Sequence, residues 1–158
     1  MTINTTDYYY WQGASKWDYL LFRKTSPNLE LIKDYLLKHV GGKNWGTYNR
    51  RPIKGGTLPS THSFGAALDW AYDTPEQKAK AIEFLIKYSA ELGVQMVADY
   101  AECRIWISKR RDGIAYWKPQ APNSYGMGNP NSKWLHIEIT NTSWRWRVPL
   151  YLRISDPI

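Results

Sequence analysis

The stretch DTPEQKAKAIEFLIKYSAELG, residues 73–93, constrains the fold more than any other feature, because it has the marks of an amphipathic helix. Thr74 stands as an N-cap with Pro75 directly behind it, and Gly93 closes the segment. Apolar residues at helical spacing form one face: Ala79, Ile82, Leu85 and Ile86. A helix with one apolar face buries it against another element, and we expect this one to pack across a sheet.

The remaining pattern supplies a second helix and the strands of that sheet. The second helix is predicted over SPNLELIKDYLLKHVGG, with Ser26 as its N-cap and Pro27 in its first turn. Strands are predicted in SFGAALDWAY, VQMVADY, CRIWISK and the strictly alternating WLHIEIT, with a short one around residues 45–48. Residues 112–132, rich in Gly, Pro, Asn and Ser, are predicted to form a loop. The fold class is therefore α+β, with a mainly antiparallel sheet and helices packed on one side.

A chain of 158 residues is long enough for one domain with a proper core, so a single domain is predicted over 1–158. We divide it into an aromatic N-terminal arm (1–25), a core that carries the motifs described below (43–140) and a C-terminal arm (141–158). The tail SWRWRVPLYLRI alternates Trp and Arg. It is predicted to form either an edge strand or an arm that docks on a partner.

Charge and composition limit the partners. The net charge of +7 favours polyanions such as nucleic acid, acidic cell-wall polymers or anionic membrane surfaces, without choosing among them. Nine Trp and twelve Tyr suit contact with sugars, peptides or partner proteins, although they serve equally well as core filler. The first twenty residues lack a secretory signal, and no run approaches the roughly eighteen apolar residues of a membrane span. We expect a protein made soluble that something else delivers if it acts outside the cytoplasm.

The scarcity of cysteine limits which residue types could bind a metal ion. Cys103 is the only cysteine, so a metal would have to be held by His, Asp or Glu. The stretch STHSFGAALD contains His62 and Asp69, which share a metal only if the chain bends between them, and Gly65 provides the place to bend. His136 in WLHIEIT would be the third ligand. Two imidazoles and one carboxylate, with a fourth position open, are the ligand set of a catalytic zinc ion.

The same ten residues carry a resemblance to a known family. Ser-x-His-x-x-Gly-x-Ala-x-Asp, matched at every specified position, resembles the hallmark of zinc D-Ala-D-Ala carboxypeptidases, vancomycin-resistance dipeptidases and the L-alanyl-D-glutamate endopeptidases of bacteriophage endolysins. The resemblance covers roughly residues 45–140 and extends to the zinc fold of the hedgehog signalling domain. It implies Zn²⁺ on His62, Asp69 and His136. It also implies a metallopeptidase that degrades cell-wall peptidoglycan.

The resemblance also implies residues that bind substrate. An arginine upstream of the motif helps to hold the substrate in that family, and Arg50 or Arg51 is the candidate here. Arg51 is the better candidate because Pro52 restricts its backbone. Ser60, the first residue of the motif, is assigned to substrate binding with them.

One position departs from the family. The third residue before the last zinc-binding histidine is usually Glu or Asp, which takes a proton from the attacking water, and here it is Lys133. Glu138 on the strand of His136, or an acid from another strand such as Asp99 or Glu102, would have to take that role, or catalysis has been lost. Asp99 is the preferred base; the other interpretation of Glu138 is a carboxylate that orients an imidazole.

Three functions remain open from the sequence. The first is a zinc peptidase of the phage-lysin type, which reaches the wall from the host cytoplasm or within a virion. The second is a non-catalytic zinc-containing module that binds a virion partner through the C-terminal arm. Nucleic-acid binding comes last, because the basic runs KRRDG and NRRPIKGG are too short to define a face. Against any metal site stands the interpretation that His62 and His136 are ordinary core histidines and Asp69 a turn acid.

Overall fold

In the computed structural model, which describes residues 22–52, 59–108, 116–120 and 132–156, two helices lie on one face of a six-stranded antiparallel sheet. The helices are α1 (Pro27–His39), α2 (Pro75–Lys87), α3 (Ser89–Leu92) and α4 (Leu150–Arg153). The strands are β1 (Lys43–Gly46), β2 (Ala67–Ala71), β3 (Val94–Asp99), β4 (Arg104–Ile107), β5 (Tyr116–Pro119) and β6 (Trp134–Ile139). The predicted α+β class with a mainly antiparallel sheet is confirmed.

Both long helices begin at the predicted caps. The Ser26 side chain accepts a hydrogen bond from the Leu29 amide, and the Thr74 side chain accepts one from the Gln77 amide. Each hydroxyl satisfies one of the amides that a first helical turn leaves without a partner. The helix predicted over residues 73–93 is divided in two, because Tyr88 leaves helical geometry and separates α2 from α3.

The sheet runs in the order β1-β2-β6-β3-β4-β5, so β6 lies between β2 and β3 although it is last in the chain. One face packs on the helices through large apolar side chains, including Leu68, Trp70, Val97, Leu135 and Ile137. The other face carries a smaller apolar cluster of Ala98, Tyr100, Ile105 and Ile107, with Met96 and Trp134 against it. Because β6 is central and alternates strictly, it presents one set of residues to the core and the other to this second face.

Two predicted segments differ from the structure. The segment predicted as a loop contains β5, which pairs with β4 from Arg104↔Pro119 to Ile107↔Tyr116; most of its other residues lie outside the described ranges. The C-terminal tail is not an edge strand. The Trp144 indole donates to the Phe64 carbonyl oxygen at 2.7 Å, and this anchors the tail ahead of α4.

The described part of the N-terminal arm begins at Phe22, whose ring packs edge-on against Trp144 with centroids 5.0 Å apart. The rest of the arm lies outside the described residues. Among the described helices, none has the length and apolar character needed to cross a bilayer.

Candidate metal centre

The first two candidate ligands are brought together by the bend that the sequence predicts at Gly65. His62 lies in a 3-10 helix, Thr61–Phe64, whose N-cap Ser60 accepts a hydrogen bond from the His62 amide at 3.3 Å. Gly65 then adopts a left-handed conformation, φ 63°, which glycine enters without steric cost. A Cβ at Gly65 would collide with the Lys24 carbonyl oxygen. The turn redirects the chain into β2, which carries Asp69.

Sheet register supplies the third candidate ligand. Asp69 of β2 pairs directly with His136 of β6, so both side chains emerge on the same face, opposite the helices. Asp69 Oδ1 lies 3.1 Å from His62 Nε2 and 3.1 Å from His136 Nδ1. One ligand atom from each of the three residues lies within 4.8 Å of the other two. The structure thus brings together the three predicted ligands in a group that could hold a metal ion.

Acceptors on the far side of each imidazole determine which ring nitrogen faces Asp69. His62 Nδ1 lies 2.9 Å from the Thr47 carbonyl oxygen, which only accepts, so this nitrogen carries the proton. In neutral His62 the remaining nitrogen, Nε2, then directs a lone pair at the Asp69 carboxylate. His136 faces carboxylates on both sides, because its Nε2 lies 2.9 Å from Glu138 Oε1. A shared cation, either a proton or a metal ion, makes the contacts of these nitrogens with Asp69 attractive.

Glu138 is held in place as firmly as the ring that it contacts. It is buried, and besides His136 it accepts hydrogen bonds from the Thr61 hydroxyl at 2.8 Å and the Gln95 amide at 3.3 Å. A carboxylate on the outer nitrogen of a histidine ligand fixes ring orientation and makes the ligand more basic. Of the two roles predicted for Glu138, the geometry agrees with that of orienting an imidazole.

The charges inside the cluster are strongly coupled. Burial alone would lower the pKa of His136, but hydrogen bonds to Asp69 and Glu138, with their negative charges, raise it to about 10. Burial alone would raise the pKa of Asp69, whereas hydrogen bonds from His136 and His62 hold it at about 2. The same partnership lowers the pKa of Glu138 against the effect of its burial. Two carboxylates in the charged form therefore surround an imidazole that keeps its proton until a stronger cation replaces it.

The preferred base, Asp99, lies on the wrong face of the sheet. In β3 it is Ala98 that pairs with His136, while Asp99 pairs with Leu135 and is directed towards the helices. There its fully buried carboxylate forms ion pairs with Lys78 at 3.4 Å and Arg104 at 3.1 Å. This corrects the prediction that Asp99 serves the metal site, because the sheet separates it from the cluster. Glu102, the other acid considered, pairs with the same Lys78.

Of the predicted substrate-binding residues, Ser60 supports the turn of His62 and Arg51 lies at the surface. Ser60 is buried and caps the turn of His62, so it positions a candidate ligand. Arg51 is exposed, and its backbone is tied to the turn that carries His62: its carbonyl oxygen accepts from the Ser60 amide at 2.9 Å and its amide donates to the Ser63 hydroxyl at 3.1 Å. Arg51 therefore adjoins the turn of His62.

Two further predicted positions are at the surface. Lys133 is exposed directly before β6, and its carbonyl oxygen accepts from the Tyr72 amide. Arg50 is also exposed. The next six residues of the arginine loop, 53–58, lie outside the described residues.

Several residues that support the cluster were not identified from the sequence. Thr47, directly after β1, and Gln95, in β3, contact His62 and Glu138, and nothing in their local sequence distinguishes them. Tyr100 lies in the turn after β3, where the charges of Asp69 and Glu138 add to burial in raising the pKa of its phenol. Thr61 lies at an unspecified position of the motif, and its place beside His62 was the one available signal.

No protein-family model matches this chain, and comparison with curated proteins and with solved structures gives no match.

Proposed function

We propose that this protein is a zinc-dependent peptidase that hydrolyses an amide bond in the peptide of bacterial cell walls. The observation that carries the proposal is the convergence of His62, Asp69 and His136, with both outer imidazole nitrogens already fixed by acceptors. Two imidazoles and one carboxylate leave a tetrahedral cation one open position, as catalytic zinc sites do. The ten-residue motif that resembles the zinc peptidases of peptidoglycan supplies the reaction class.

The protein residues would divide the work between binding and charge balance. When bound, zinc would polarise the scissile carbonyl and make a water molecule acidic enough to attack it near neutral pH. His62 and His136 would contribute neutral nitrogen ligands, each kept in the correct tautomer by its outer partner. Asp69 would offset one of the two positive charges, and Glu138 would offset most of the other through His136.

Substrate attraction is assigned to the basic surface. The net charge of +7 favours approach to a wall polymer rich in carboxylate and phosphate groups. Arg51 is proposed to bind a peptide carboxylate, because it is exposed beside the turn of His62 and guanidinium groups bind carboxylates through two parallel hydrogen bonds. A lysin that reaches the wall after release from the cytoplasm, or within a virion, fits these properties.

A second candidate function is a zinc-containing binding or virion structural module without turnover. It is favoured by one observation: the two acids preferred for proton transfer, Glu138 and Asp99, are both already bound to other side chains. Glu138 accepts three hydrogen bonds, and Asp99 pairs with cations on the helix side. In this alternative zinc stabilises the fold, and the C-terminal arm binds a particle protein.

Digestion of muropeptides tests the proposal. Zinc-loaded protein, chelator-treated protein and His136→Ala are incubated with purified muropeptides, and new termini are sought by mass spectrometry. The peptidase predicts new amino and carboxyl termini with the zinc-loaded protein only. If zinc raises the unfolding temperature while no termini form, the structural module is correct and the peptidase proposal fails.

A further inference from the structure

Two tryptophans stand beside the metal cluster on the same face of the sheet. Trp134 lies two residues before His136 on β6, so both side chains emerge on one face about 7 Å apart along the strand. Trp45 precedes Gly46, which pairs with Asp69. The two indole rings have centroids 6.3 Å apart and planes inclined by 49°. They form an aromatic pair next to two of the three candidate ligands.

Two small residues, Ala71 and Gly46, lie on the strands beside this pair. Ala71 of β2 pairs with Trp134 on one side and Lys43 of β1 on the other. A Cβ added at Gly46 would meet no atom of the described residues within 4 Å, so there is space beside this residue. Trp45 itself is 59% exposed. The Trp45 ring is therefore open to solvent in the part of the chain that the structure describes, and a ligand can approach it there.

Trp134 is held in place by Tyr100. The Tyr100 ring lies 4.3 Å from that of Trp134, centroid to centroid, and is itself buried in the small apolar cluster with Ile105. Trp134 therefore has little side-chain freedom left to lose when a ligand binds. Trp45, which is exposed, and Trp134, which is fixed, together form a preformed binding surface for a ligand with a flat face.

An exposed cation borders this surface. Lys43 lies on the same row of the sheet as Trp134. The surroundings thus suit a ligand that combines an apolar ring face with polar or anionic substituents. A pyranose ring has such a face, formed by its C–H groups, and its hydroxyl and acetamido groups remain free for the ammonium group and water.

We propose that Trp45 and Trp134 form a subsite that binds an amino-sugar ring of the wall glycan next to the peptide attached to it. The inference rests on the proposed function, because a wall peptide at the metal site is covalently joined to such a sugar. Its position is consistent with this, since roughly 7 Å from His136 is the reach of about two extended residues. Energy from stacking the sugar would be available to hold the peptide at the metal.

Binding is tested without turnover, so that failure of the subsite and failure of the peptidase are distinguishable. Zinc-loaded protein is titrated with a peptide-free tetramer of N-acetylglucosamine while tryptophan fluorescence is followed. Saturable binding is expected, with Kd raised at least tenfold in Trp45→Ala and unchanged in Tyr151→Ala. Tyr151 is a matched control because it is 70% exposed on α4, beside α1 on the helix side.

Three results would overturn the subsite. They are the absence of saturable binding by the wild type, equal binding by Trp45→Ala, and preference for a single-stranded oligonucleotide that depends on Trp45 in place of the saccharide. If muropeptides are hydrolysed, those carrying the sugar should show a lower KM than the free peptide, and Trp45→Ala should remove the difference. Hydrolysis without this difference rejects the subsite and leaves the peptidase intact.

Discussion

Zinc binding to this protein is predicted to release at least one proton, from His136. The pKa of that imidazole is raised to about 10 by Asp69 and Glu138, so the ring is protonated in the metal-free protein at neutral pH. Zinc needs the lone pair of Nδ1, while Nε2 keeps its proton for Glu138. Binding therefore exchanges a proton for a metal ion at the same position between two carboxylates.

The size of the pH effect on zinc affinity follows from the difference between the pKa of His136 and the pH of the measurement. At pH 7.5 the neutral ring is roughly one part in 300 of the metal-free protein, and the apparent zinc affinity is reduced by the same factor. The apparent affinity should rise about tenfold per pH unit between pH 7 and 9, and should level off above about pH 10. The sign is fixed: a raised imidazole pKa weakens metal binding at low pH.

Calorimetry in buffers of different ionisation enthalpy measures the protons released, and competition with a chelator at several pH values measures the affinity. Glu138→Gln is the matched variant, since the amide oxygen can still accept from Nε2 but carries no charge. It should shift the levelling-off to lower pH and weaken binding at the plateau by about 10–100-fold. Proton release near zero together with pH-independent affinity would refute the reasoning.

Three further substitutions test separate parts of the structure. Gly65→Ala should destabilise the protein by roughly 3 kcal/mol and abolish zinc retention, because φ is positive and the new Cβ meets the Lys24 carbonyl oxygen; thermal unfolding and metal content measure this. Asp99→Asn should cost about 1–3 kcal/mol in a denaturant titration by weakening the buried partner of Lys78, yet leave zinc affinity unchanged; loss of zinc would contradict its placement on the helix side. Lys133→Glu should raise muropeptide hydrolysis by up to about 10²–10⁴-fold, because it restores an acid where the resembling enzymes have their base; a fall in rate with raised KM would show that another acid already transfers the proton.

Local patterns were sufficient to predict the elements that place the ligands. Ser26 and Thr74 predict the starts of their helices because a hydroxyl at the N-cap accepts a hydrogen bond from an amide of the first turn. Gly65 predicts the bend because glycine enters the left-handed region most easily. The alternation of polar and apolar residues in WLHIEIT predicts β6. The convergence of His62, Asp69 and His136 was inferred from spacing and motif together.

The environment of those ligands depends on contacts between distant parts of the chain. The face that Asp99 occupies is set by its pairing with Leu135, and a shift of one residue in register would have placed it with His136. Thr47 and Gln95 lie 15 and 43 residues from their partners His62 and Glu138, and no local signal marks them. Such pairings form only when the sheet is assembled.

X-ray absorption at the zinc edge of the zinc-loaded protein tests the central claim most directly. The account predicts one zinc per chain, nitrogen and oxygen neighbours at about 2.0–2.2 Å, and the outer-shell scattering of two imidazoles. His136→Ala should lose one imidazole from that signal and most of the bound metal. A sulfur neighbour at about 2.3 Å, which would implicate Cys103, or a zinc ion surrounded only by water would contradict the site.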